Sequence, residues 1–165
     1  MKLEFEALSE NEAFARTVAA AYLVRFNPTM SELEDIKTAV SEAVTNAVVH
    51  GYGGAPGMVE MECRQIGTTA SAGTDVEIVV RDHGVGISNL DRALKPMFTT
   101  CRDGERPGLG FTVMEAFSDE MRVESIPNVG TTVALRKRLG AVENECQEFP
   151  CGAELRSCME GCQVF

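Results

Sequence analysis

The stretch Asp75-Val76-Glu77-Ile78-Val79-Val80-Arg81-Asp82-His83-Gly84-Val85-Gly86 decides the reading of this chain. Its apolar run, Val76 to Val80, is of strand length and rich in β-branched residues, and it delivers an acid into a glycine-punctuated turn. A carboxylate leaving a buried strand can accept a hydrogen bond from an exocyclic amine such as that of adenine. The two glycines let backbone approach a flat ligand closely. An acidic glycine turn is also a common loop, so neighbouring segments must decide, and His83 within it reads as an exposed loop residue.

Upstream, Met58 to Ile66 is a second β-like run, and the polar stretch Gly67 to Thr74 joins the two as a hairpin with a long tip. Further upstream, Lys2 to Ala7 alternates Leu3, Phe5 and Ala7 against polar residues, a strand with one buried face. Ser9 with Glu12 is a capping-box pattern opening a helix that Asn27-Pro28 stops. Ser31 with Glu34 repeats the pattern for a helix of about five turns reaching His50, with Gly51 at its C-cap. Downstream, the chain is irregular from Arg81 to Gly110 apart from a short helix near Asn89 to Leu94. Helical spacing returns at Phe111, Met114 and Phe117, and Met121 to Ile126 with Thr131 to Arg136 form a second hairpin. The order β, α, α, β, β, α, β, β predicts an α+β two-layer sandwich, a mixed and mostly antiparallel sheet with helices on one face.

Composition bounds the function. The chain has 165 residues, 44% of them hydrophobic and 24% charged, which fits one core. Its net charge of −10 repels phosphate backbones, so direct nucleic-acid binding is not expected. The longest apolar run, Val18 to Val24, is too short to span a membrane, and the acidic N-terminal stretch lacks a secretory pattern. A cytoplasmic protein without membrane association is expected. The domain is placed at 1–138. Residues 139–165, with five glutamates and one arginine, read as a flexible tail. Cys146, Cys151, Cys158 and Cys162 are spaced by five, seven and four, which lacks the paired C-x-x-C geometry of strong zinc sites.

Three further motifs carry chemistry. Glu42 and Asn46 are one helical turn apart on one face, among Ala39, Ala43 and Ala47. Asn offers a neutral oxygen to a hard cation such as Mg²⁺ while Glu beside it can accept a proton. Taken singly, the pair is far more often the pattern of a solvated helix face. Arg106-Pro107-Gly108-Leu109-Gly110-Phe111 runs glycines into a helix start, where free N–H groups and the positive end of the dipole suit phosphate. Gly130-Thr131-Thr132 opens the last strand with a hydroxyl that can support the adenine contact through water.

In this order the four elements match the N, G1, G2 and G3 boxes of the GHKL ATP-binding superfamily, whose fold is the Bergerat sandwich. Within it the chain resembles the sporulation anti-sigma F factors with serine-protein kinase activity. The resemblance runs through Leu8 to Arg16, Pro28-Thr29-Met30, Ile36 to Ala47, His50-Gly51-Tyr52, Phe98-Thr99-Thr100 and Gly110 to Glu115. It implies a homodimer that binds sigma factor F when ATP is present and phosphorylates a serine of an anti-anti-sigma factor. It further implies Glu42 as the base, Asn46 as the Mg²⁺ ligand and Asp82 as the adenine acceptor. Gly84, Gly86, Thr99, Thr100, Gly108, Gly110 and Thr131 would belong to the nucleotide pocket. Met97 to Pro107 would be an ATP lid, with Arg106 reaching the γ-phosphate, and Arg16, Thr45 and Glu115 would face the partners. Arg16 has a plainer reading, a pair with Glu12 four residues before it. The hairpin tip, Cys101 and Gly104 in the lid and the cysteine tail depart from the family pattern. Two alternatives stay open: a general-stress anti-sigma kinase, and a nucleotide-gated binding module without kinase activity. A histidine kinase output domain, which would need a phosphoacceptor hairpin, and a gyrase-like ATPase, which would need a transducer domain, are not expected.

Overall fold

Strand β1 (Lys2–Glu6) enters a five-stranded sheet of order β1-β2-β3-β5-β4, completed by β2 (Met58–Thr69), β3 (Gly73–Asp82), β4 (Glu120–Ile126) and β5 (Gly130–Leu139). The structure is a computed structural model, and it describes residues 1–69, 73–95 and 108–140. Helices α1 (Asn11–Leu23), α2 (Met30–Asn46), α3 (Leu90–Ala93) and α4 (Gly110–Phe117) complete the described elements, with a 3₁₀ turn at Val24–Phe26 and a π-helical turn at Ala47–Tyr52. All four strand pairings are antiparallel, so the described sheet contains none of the parallel pairing that a mixed sheet would have.

Period two assigns the sheet's faces. Phe5, Val59, Met61, Cys63, Val76, Ile78, Val80, Val133 and Leu135 turn one face inward, and Ala15, Ala19, Leu23, Ile36, Val40, Val44 and Met114 of the helices cover it. The alanines of α2 serve this packing: Ala39, Ala43 and Ala47 are buried, so the helix lies close to its neighbours. Glu77, on the opposite face, is also buried. Burial alone would raise its carboxyl. Hydrogen bonds from Arg136 and Arg64 outweigh that and hold it below the ordinary value. The buried Cys63 thiol is pushed up to about 11 by desolvation, which makes it an inert core residue.

Three local expectations are corrected. The Ser9/Glu12 capping box does not form. Helix α1 begins two residues after Ser9, its N-cap Glu10 lacks a side-chain cap, and the Glu12 carboxylate instead accepts from Ser41 Oγ on α2. Helix α2 is capped by Thr29 and Glu32 rather than by Ser31 and Glu34. Thr29 N donates to Glu32 Oε2 at 2.6 Å, and Glu32 N donates to Thr29 Oγ1 at 3.2 Å. Glu34 is taken by Lys37 at 2.6 Å. The helical run then continues past Gly51 through the π turn to a left-handed cap at Gly53, φ 58°. The hairpin is longer than expected in strand and shorter in tip, because pairing persists to Thr69 and Gly73 beyond a bulge at Gln65/Gly67.

Candidate active site

The end of β3 places Asp82 directly opposite Thr131 of β5, and Thr131 lies opposite Ser125 of β4. Asp82 is only 5% exposed. Burial raises its carboxyl above the ordinary aspartate value, and backbone N–H groups of Gly84 and Thr131 partly offset this. The Gly84 N–H donates to Asp82 Oδ1 at 2.9 Å. An ionised carboxylate has about four acceptor positions. Two backbone donors therefore leave capacity for a ligand.

The π turn fixes that carboxylate from the other side. Val85 N donates to Gly51 O at 2.9 Å and His83 N donates to Tyr52 Oη at 2.9 Å, while Tyr52 Oη donates to Met58 O at 2.6 Å. A Cβ on Gly51 would stand 2.8 Å from Asp82 Oδ1. The same backbone carries Asn46 and Glu42 about one and two turns earlier on α2. One insertion into the helical register thus ties the Asp82 loop to the helix that carries Glu42 and Asn46, as π turns often do at functional sites.

A cleft of about 790 Å³ joins the two ends. Glu42, Asn46, Asp82, Gly86, Gly108, Gly110 and Thr131 all line it. At its far end, a Cβ on Gly110 would lie 3.0 Å from Glu42 Oε2 and 3.1 Å from Asn46 Nδ2, so a side chain there would press on both groups. The N-cap of α4, Leu109, provides no side-chain cap, and the first helical bond is Val113 N to Leu109 O. The preceding N–H groups are those a helix start offers to anions. Gly86 (φ 65°) packs on Ile126 O, and Gly108 takes φ 67°.

The remaining expected site residues fall in several places. Gly84 does not line the cleft; a Cβ there would meet Gly51 O at 2.1 Å, so it seats the loop on the π turn. Thr45, expected on a partner surface, lines the cleft. Glu115 is exposed on α4. Arg16 lies 3.5 Å from Glu12 and 3.5 Å from Ser41 Oγ, the plainer pairing allowed by the sequence. Thr99, Thr100 and Arg106 lie outside the described residues, as do the lid at 97–107 and all four tail cysteines. His83 is exposed and meets Glu60 at 3.0 Å. Gly51, Tyr52 and Ser125 were not singled out for the site. His50-Gly51-Tyr52 was visible as a motif, but its contacts to the β3 loop are long-range.

Comparison with known proteins agrees with this geometry. Residues 5–137 match the histidine kinase-like ATPase domain family. The anti-sigma F factor of Clostridium novyi (strain NT) is 46% identical over 144 residues, 87% of this chain and 96% of that one. That of Priestia megaterium is 50% identical over 140 residues, 84% and 92% of the two chains. The chain belongs to the anti-sigma F factor family. Its fold also matches, at 21% identity and a TM-score of 0.52, a crystal structure of RsbU and RsbW domains from Mycobacterium tuberculosis, across 84% of this chain and 32% of that one. The ATPase-domain family implies ATP as the ligand of the cleft. The donor set fits ATP: a buried carboxylate at one end, and glycine backbone against a Glu/Asn pair at the other. No helix among the described residues is long and apolar enough to cross a membrane.

Proposed function

We propose that this protein restrains sigma factor F when ATP is bound and, as a protein-serine kinase of the sporulation programme, phosphorylates a serine of the antagonist anti-anti-sigma factor. In this reading it acts as a cytoplasmic homodimer through its domain at 1–138, with Arg16, Thr45 and Glu115 toward the partners. The carrying observation is that one cleft holds buried Asp82 at one end and the Glu42/Asn46 pair, pressed against Gly110, at the other.

The residues divide the work. Asp82 accepts the exocyclic amine of adenine, in a buried setting where hydrogen bonds to charge are strong. Gly108 and Gly110 bring backbone N–H groups and the α4 dipole to the phosphates. The Asn46 side-chain oxygen would hold Mg²⁺ without cancelling charge, and one protein ligand suffices for an ion that keeps most of its waters. Bound Mg·ATP supplies the phosphoryl group and neutralises its developing charge. Glu42 orients the substrate serine and takes its hydroxyl proton.

The test is transfer of labelled γ-phosphate to the anti-anti-sigma factor. Wild type labels it on serine, and Glu42→Ala does not. Equal labelling by both proteins would remove the base from this scheme. Absence of labelling by wild type, with ATP-dependent capture of the sigma factor retained, would leave a binding module.

A further inference from the structure

We propose that Lys137 on β5 is a positioning residue for phosphoryl transfer: it pins the far end of α4 to α2 and so sets where the start of α4 stands against Glu42 and Asn46; this rests on the ATP-binding reading above. Period two puts Lys137 on the helix-covered face of the sheet, in line with the buried Val133, Leu135 and Leu139. A cation is costly in such a place unless it is paired and hydrogen-bonded. The side chain is only 14% exposed. Its ammonium donates to Asp35 Oδ2 on α2 at 2.9 Å and to the carbonyl of Phe117, the last residue of α4, at 3.0 Å.

Helix α4 therefore runs antiparallel to α2. Its first residue, Gly110, meets Glu42 and Asn46, and its last is joined through Lys137 to Asp35, about two turns before Glu42. Between them Met114 is buried in the core it shares with Val40 and Val44. The two ends of α4 are held differently. At the C-terminal end Lys137 satisfies the Phe117 carbonyl and complements the negative pole of a helix that has no basic residue in its own last turn. There too Ser118 Oγ donates to Met114 O at 2.6 Å, and Asp119 N donates to Arg136 O on β5 at 2.8 Å. The N-terminal end has no side-chain cap. Eight residues make a rod of about 12 Å, so a tilt of about 5° at the pinned end moves the other by about 1 Å. A misplacement of that size can cost about 10²-fold in rate. Lys137 does not line the cleft and touches no ligand in this scheme; it acts through α4.

The test uses full-length wild type, Lys137→Met and Lys137→Arg, each titrated with ATP and with adenosine, which keeps the purine and has no phosphate. Lys137→Met should lose about tenfold in ATP affinity, the worth of one hydrogen bond, while adenosine affinity holds. Lys137→Arg, which keeps a cation for both acceptors, should return ATP affinity toward that of wild type. A Lys137 that only stabilises the fold would weaken ATP and adenosine by one factor or leave both unchanged, and either result overturns the proposal. Equal losses of ATP affinity in Lys137→Met and Lys137→Arg overturn it as well. Where adenosine binds wild type too weakly to titrate, single-turnover transfer at saturating ATP decides: a fall of about 10- to 100-fold in Lys137→Met supports the pin, and an unchanged rate overturns it. Wild type binding neither ligand removes the ATP-binding reading and the proposal together. Should Lys137→Met fail to fold, Asp35→Asn, which removes the charge and keeps an acceptor, carries the same comparison with a smaller loss.

Discussion

The two ends of the cleft are built in opposite ways. The end proposed to hold the purine is made mostly of backbone: Gly84 and Thr131 N–H groups on a buried carboxylate, with Gly51 and Tyr52 of the π turn clamping the loop. The end proposed to hold the phosphates adds side chains on one helix, Glu42 and Asn46, both half-buried, to the glycine backbone at the start of α4. Backbone-built recognition tolerates little displacement, whereas helix-borne groups can be exchanged without disturbing the sheet. Binding and chemistry should therefore separate under mutation.

That separation gives the predictions their order. Glu42→Ala should lower the turnover of phosphoryl transfer by about 10²- to 10⁴-fold, the usual weight of a general base, with ATP affinity unchanged. Asp82→Asn should do the reverse. A hydrogen bond to a charged group is worth about 1.5–3 kcal/mol, so ATP affinity should fall about 10- to 100-fold while turnover at saturation holds. Calorimetric titration and single-turnover labelling read the two separately. If either variant moved both quantities together, the ends would be one unit and the contrast would fail.

Gly51→Ala sharpens the contrast with a smaller effect. The new methyl would sit 2.8 Å from Asp82 Oδ1 and 2.9 Å from its Cγ, so the short carboxylate must turn away from its N–H donors. Overpacking of this kind costs about 1–3 kcal/mol. ATP affinity should fall about tenfold, with turnover at saturation retained even though Gly51 lies only five residues beyond Asn46. Unchanged affinity in a titration would mean that the π turn does not hold the purine end in place.

The same contrast explains what could be read without coordinates. Every described strand and α-helix was legible, because one-faced burial in Leu3, Phe5 and Ala7, or helical spacing in Phe111, Met114 and Phe117, is a local property of sequence. Asp82, Gly86 and Gly110 stood out because glycine and acid at strand and helix ends leave a chemical signature, and all three line the cleft. The helix starts were misplaced for a physical reason. Ser9/Glu12 and Thr29/Glu32 carry the same pattern, and only the tertiary partner Ser41 decides that Glu12 leaves its own helix end. The π turn was read as a C-cap at Gly51, since nothing local distinguishes a glycine that ends a helix from one that must pass a carboxylate. Ser125 was silent for a related reason: its partners Ile87 and Thr131 are 38 and 6 residues away.

The smallest effect concerns pH, and it tests burial of the purine end directly. Asp82 is raised above the ordinary value of 3.8 because burial penalises its charged form. A group whose folded value is raised contributes stability that is fully present below 3.8 and is lost as pH rises through the folded value. Wild type should therefore lose stability relative to Asp82→Asn as pH climbs through that window, and the difference should level off above it. Urea titrations of both proteins at a series of acidic to neutral pH values measure this. ATP affinity should run the other way, falling as pH drops through the same window, because a protonated carboxyl has given up acceptor capacity. Two opposite slopes at one pH would assign both to a single desolvated carboxylate. A stability difference that stays flat across the range would mean that Asp82 pays no burial penalty, and the purine end would then be as wet as the phosphate end.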